Sequence, residues 1–170
     1  MRTSITSPTT LIGLSLMLCT ASAAFAKDAA HAAGRNMKDM TFVTFPGLPT
    51  CAKGTVASGD PSKGASIILA KAPAGCTIPW HWHTPNESLM IVSGTARVQM
   101  KDEKPFTLQA GGFALMPGKH VHQFRCVTAC TLYVYSDTAF DIHYVDAQGK
   151  ELSPEEALKA VKEKTMKETK

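Results

Sequence analysis

His81, His83 and Glu87 place two imidazoles and a carboxylate within seven residues, His-Trp-His-Thr-Pro-Asn-Glu. On an extended strand, side chains two apart share a face. His81 and His83 then point one way, and Trp80 and Trp82 the other. Thr84-Pro85-Asn86 can turn the chain and bring Glu87 back alongside. Two imidazoles and a carboxylate form a ligand set for a divalent transition metal. His122, in the later run Pro117-Gly118-Lys119-His120-Val121-His122, could close the set from across a barrel, with His120 as the rival in register. A His-x-His pair alone is a weak signal, because exposed strand histidines are common. A glutamate four residues on, framing glycines and a second histidine cluster make the joint pattern far more specific.

Short segments must hold these residues. Thr41–Phe45 alternates, and so do or nearly do 66–70, 76–83, 87–92, 95–100, 106–109, 112–116, 121–127 and 130–135. Turn residues separate them, among them Pro46-Gly47, Ser93-Gly94, Ala110-Gly111 and Pro117-Gly118. Short strands without intervening helices make an all-β sandwich or barrel, here spanning 41–150. Residues 27–40 read as a loose N-terminal arm. Ser153-Pro154-Glu155-Glu156 supplies an N-cap, a first-turn proline and first-turn acids, so 151–170 reads as a C-terminal surface helix. Its five lysines between 159 and 170 make a solvated face.

The chain resembles the cupin superfamily. The first cupin motif, G-x5-H-x-H-x3-E-x6-G, is met at Gly75, His81, His83, Glu87 and Gly94. The second, G-x5-P-x-G-x2-H, is met at Gly111, Pro117 and His122, with Lys119 where the family usually has glycine. The resemblance implies a double-stranded β-helix, or jelly-roll, barrel with His81, His83, Glu87 and His122 as ligands of one divalent metal. Zinc, copper, manganese, nickel and iron all suit three imidazoles and a carboxylate. Outside the cytoplasm copper and zinc compete hardest for such a site.

Of the 170 residues, 44% are hydrophobic and 19% charged, which suits one ordinary domain and excludes wholesale disorder. A net charge of +4, with four arginines among eighteen basic residues, gives no case for nucleic acid. No phosphate-cradling glycine loop is present. Residues 1–26 read as a signal peptide: Arg2, an apolar run over 11–19, then Ala24-Phe25-Ala26 as cleavage site. That run is too short to span a bilayer, and the mature chain has no integral membrane segment. The protein is expected in the periplasm or secreted.

Four cysteines remain after processing, Cys51, Cys76, Cys126 and Cys130, and an even count in an exported chain suggests two disulfides from three pairings. A three-residue hairpin loop would set Cys126 opposite Cys130, leaving Cys51 for Cys76. Cys126 as a metal-binding thiolate, or plain core thiols, are the rivals. Trp80 and Trp82 fit packing between sheets or at a homodimer contact. Leu89, Ile91 and Phe124 share parity with the ligands, so a small-molecule ligand with some apolar surface is expected. Three functions fit: a metal-dependent oxygenase or isomerase acting on a small organic molecule, a non-catalytic ligand or metal sensor, and a structural cupin.

Overall fold

The structure, a computed structural model, describes residues 33–168; residues 1–26, expected to be a signal peptide, and residues 27–32 of the expected arm lie outside the described residues. The strands are β1 (Lys53–Gly59), β2 (Ser66–Ala72), β3 (Thr77–Trp82), β4 (Glu87–Ser93), β5 (Ala96–Met100) and β6 (Phe106–Leu108). They continue with β7 (Phe113–Met116), β8 (His122–Cys126), β9 (Cys130–Ser136), β10 (His143–Val145) and β11 (Glu151–Leu152), followed by helix α1 (Pro154–Glu168). Burial alternates along them. In β5, Ala96, Val98 and Met100 turn inward while Arg97 stays exposed.

Two antiparallel sheets result, ordered β1-β2-β9-β4-β7 and β11-β10-β3-β8-β5-β6. They form a jelly-roll barrel. Leu89, Ile91, Val98, Met116, Phe124 and Leu132 belong to the packed core. Burying each such side chain contributes about 1.5–3 kcal/mol. Inward columns run from the site into this core: Glu87, Leu89, Ile91 on β4, and His122, Phe124, Cys126 on β8.

β3 carries a bulge. Ile78 pairs with Phe124 and His81 with His122, so three steps on β3 match two on β8. Pro79 sits in the bulge, where it forfeits no ladder hydrogen bond. The extra residue lets both Ile78 and His81 face the barrel interior, which strict alternation from Ile78 would forbid.

Two expectations are corrected. Thr41–Phe45 is not a strand; only Val43 bridges Gly54, and the Phe45 ring packs against that glycine. The first strand is β1 instead. Cys51 and Cys76 are bonded, with Cα atoms 5.8 Å apart and a sequence separation of 25. Closing that loop stabilises by about 3 kcal/mol on chain entropy. Cys126 and Cys130, however, are buried thiols. Residues 127–129 do not form a hairpin, because β8 and β9 lie in different sheets. The Cys130 thiol donates to the carbonyls of Thr95 and Thr128, both at 3.2 Å. Burial, then contact with Cys130, pushes the Cys126 thiol far above its ordinary value.

α1 opens with a capping box: Glu156 N–H donates to Ser153 Oγ at 3.2 Å, and Ser153 N–H to Glu156 Oε2 at 3.0 Å. Ala157 is buried at its inner face.

The turn before β8 shows why the family places glycine at 119. A Cβ on Gly118 would meet the Thr84 carbonyl at 2.5 Å, so that position must stay glycine. Lys119 then takes φ +62° and donates its N–H to the His83 carbonyl at 2.7 Å. A left-handed lysine costs about 1–2 kcal/mol. Glycine at 119 gives back about 0.4–1 kcal/mol through the freer unfolded chain. Lys119→Gly is therefore expected to raise stability by up to about 1.6 kcal/mol in denaturant titration; a loss of stability would contradict the strain.

Candidate metal centre

The β3 bulge, the 84–86 turn and the 117–121 turn deliver four side chains to one point. His81 lies near the end of β3 and His83 directly follows the strand, Glu87 opens β4, and His122 opens β8. His81 and His122 are register partners, so their rings stand beside each other at 4.2 Å between centroids. One ring nitrogen from each of His81, His83 and His122 lies within 4.8 Å of the others.

Each ring is aimed from behind. His81 Nδ1 lies 2.6 Å from the Pro79 carbonyl, and His122 Nδ1 lies 2.9 Å from the His120 carbonyl. His83 Nδ1 meets the Asp141 carbonyl. A carbonyl only accepts, so each Nδ1 carries the proton and donates. Each Nε2 is left as a bare lone pair. The Nε2 atoms of His83 and His122 are buried without a hydrogen-bond partner. Leaving a buried polar atom unmet costs about 1–3 kcal/mol. A metal ion among them would satisfy both.

Glu87 supplies the charge. Its Oε2 lies 3.3 Å from His122 Nε2 and 3.6 Å from His83 Nε2, so the carboxylate and the ring lone pairs are directed at one point. Burial alone would raise the Glu87 carboxyl, but His83 and His122 outweigh it and hold it below the usual glutamate range. Burial, reinforced by the other two rings, lowers His81 well below its ordinary value; burial also lowers His83 despite Glu87. At neutral pH these histidines are neutral and Glu87 is ionised, the forms that ligate a metal.

The other expected residues fall elsewhere. His120 is in the turn, with Nε2 3.7 Å from Glu103 on the surface. Cys126 lies in the core and takes no part in the three-histidine group. Trp80 lines a separate outer cleft beside α1, and Trp82 stacks on His143 at 3.9 Å. Leu89 and Phe124 border a 60 Å³ hollow beside His81, Glu87 and His122. Ile91 lies deeper in the core.

A larger cavity of about 500 Å³ opens over His81, His83 and Glu87. Its walls come from the segment before β1 and residues 140–142, together with Ile68 of β2, Ile78 of β3 and Val134 of β9. Phe140 stands 4.5 Å from the His83 ring. The Asp141 side chain accepts from Thr84 N–H at 2.7 Å, while its carbonyl holds His83. Nothing in the sequence marks Asp141, because its carbonyl could come from any residue. Tyr144 braces the two loops, its hydroxyl donating to the Gly47 carbonyl at 2.8 Å.

These environments fix the acid response of the metal-free protein. His81 and His83 titrate below their ordinary value of 6.5 when folded, so the unfolded chain binds more protons below that pH. Their stabilising contribution is whole above 6.5 and falls as pH drops beneath it. Glu87, depressed from 4.5, adds a second loss only below that value. Melting temperature of the metal-free chain should fall between neutral pH and pH 5, and His81→Gln should flatten that fall. A melting temperature level across that range would contradict the neutral buried rings.

A family model described as a cupin domain matches residues 68–136. No curated protein matches the sequence significantly. Solved structures share the fold. An RmlC-like cupin from Ralstonia eutropha has 19% identity and a TM-score of 0.56, covering 78% of this chain and 88% of its own. A provisionally named acetylacetone dioxygenase from Methylibium petroleiphilum has 16% identity and a TM-score of 0.58, covering 75% and 90%. The cupin domain of Cnp3 from Schizosaccharomyces pombe has 16% identity and a TM-score of 0.53, covering 62% and 73%. With both motifs folded onto one end of a jelly-roll barrel, residues 68–136, the stretch that carries the site, match a cupin domain.

Proposed function

We propose that this protein is an exported, metal-dependent cupin that acts on a small organic molecule as an oxygenase or isomerase. One observation carries the proposal. Three imidazoles converge with their Nδ1 atoms already spent, two of them presenting buried, unpartnered Nε2 atoms, with the Glu87 carboxylate beside them. His81, His83, His122 and Glu87 would hold a divalent ion. Bound there, such an ion supplies Lewis acidity or, for a redox-active metal, electron transfer.

The chain's own residues do the rest. The backbone carbonyls behind the rings hold their tautomers and directions. Glu87 balances part of the ion's charge and is the carboxylate best placed to take a proton from a molecule in the cavity. The apolar walls exclude water from that molecule. The dioxygenase name of one structural neighbour accords with this chemistry, although 16% identity speaks for the fold alone. The Cys51–Cys76 disulfide supports export, since such bonds persist in oxidising compartments. A second reading, a non-catalytic binding cupin, draws support from Asp141. It is the other carboxylate on the cavity wall, and it is committed to Thr84 and His143.

Elemental analysis of protein purified from its export compartment, with oxygen-uptake and isomerisation screens, tests this. An equimolar divalent transition metal is expected. His81→Ala and His83→Ala should largely abolish it, and His122→Ala should lower affinity by more than the roughly 10- to 100-fold typical of losing an outer partner. His120→Ala should keep the metal. Full metal content in both His81→Ala and His83→Ala would contradict the site. Metal without turnover of any candidate would favour the binding protein.

A further inference from the structure

The walls of the cavity over the histidines are apolar. Phe45 and Leu48 come from the segment before β1, Ile68 from β2, Val134 from β9, and Phe140 and Ile142 from the segment before β10. Each is only half-buried, although core residues of the same types one layer deeper are sealed: Leu89 at 4% and Leu132 at 4% exposure. Apolar surface facing a cavity of about 500 Å³ is surface a ligand can cover.

The polar groups on these walls are nearly all spoken for. The Asp141 carboxylate takes the Thr84 N–H and faces His143 at 3.4 Å. The Ser62 hydroxyl donates to Asp60. Lys53 is the single wall cation, and it is exposed. A charged group buried against this surface would have no partner and would lose its hydration without return. Polar recognition is confined to the His81, His83 and Glu87 end.

We infer that the ligand of this cavity is a small, uncharged molecule with an apolar body and one oxygen-bearing head directed at the histidines. For the head alone, the inference rests on the metal-site proposal above; the apolar body rests on the walls. Phe45, Leu48, Phe140 and Ile142 then set which bodies fit, since they belong to the two loops that frame the opening. Small phosphorylated compounds, sugars and dicarboxylates are rejected by the same surface.

Two probes of one skeleton test the class: 1-naphthol, neutral with one hydroxyl, and naphthalene-1,5-disulfonate, a dianion. Each is titrated by fluorescence into the full-length processed protein loaded with zinc, and zinc content is measured on the same samples. Saturable binding of 1-naphthol is expected, at least tenfold tighter than the disulfonate. Leu48→Trp and Val134→Trp, which fill the cavity from a loop and from a strand, should each weaken 1-naphthol at least tenfold while zinc content stays full. Ala147→Trp, on the outer cleft, should change neither. Equal or tighter binding of the disulfonate overturns the inference, as does 1-naphthol affinity unmoved in both folded cavity variants. Zinc loss with 1-naphthol binding retained supports the apolar body and overturns the metal proposal instead, so the two failures are separable.

Discussion

The ring nitrogens of this site are directed from the far side of each ring. Pro79, His120 and Asp141 each offer a backbone carbonyl to an Nδ1–H, and that contact turns the opposite nitrogen into the barrel. The arrangement is costly without an occupant, because buried lone pairs face one another with no donor between them. Burial also keeps His81 and His83 from relieving that cost by protonation. Positioning three bases and one carboxylate this way makes sense when a cation completes the group.

Much of the surrounding structure serves those carbonyls. The β3 bulge at Pro79 lets Ile78 and His81 face inward together and places the Pro79 carbonyl behind the His81 ring. The tight turn at Gly118-Lys119 accepts a left-handed lysine and hydrogen-bonds back to His83. Asp141 joins the second wall loop to the end of β3 twice, by its carbonyl and by its carboxylate. The Cys51–Cys76 bond ties the first wall loop to the root of the same strand. Strand, turns and cavity walls thus share their anchors with the ligands.

What could be read from the residues follows from where the signal is local. His81 lies near the end of β3, His83 directly follows the strand, and Glu87 opens β4 across a three-residue turn, so local spacing alone brings them together. Gly94 shows the same economy: φ is +84°, and a Cβ would sit 2.0 Å from the Ala129 carbonyl. β1 was hidden because Lys53-Gly54-Thr55-Val56-Ala57-Ser58-Gly59 has little apolar alternation, whereas Thr41–Phe45 has more and forms only a bridge. β10 and β11, three and two residues long, are too short to carry a period. Cys126 and Cys130 misled because a three-residue link looks alike whether it closes a hairpin or crosses between sheets. Asp141 acts on His83 through its main chain, which side-chain identity does not encode.

The central claim is that the three Nε2 atoms and Glu87 surround a cation. The most direct measurement is a crystal structure of zinc-loaded protein with anomalous data collected at the zinc absorption edge. The account predicts one dominant peak inside the barrel, about 2.0–2.1 Å from Nε2 of His81, His83 and His122, with a Glu87 oxygen in its coordination sphere and every Nδ1 still on its carbonyl. Zinc density elsewhere, or rings flipped to bind through Nδ1, would contradict it.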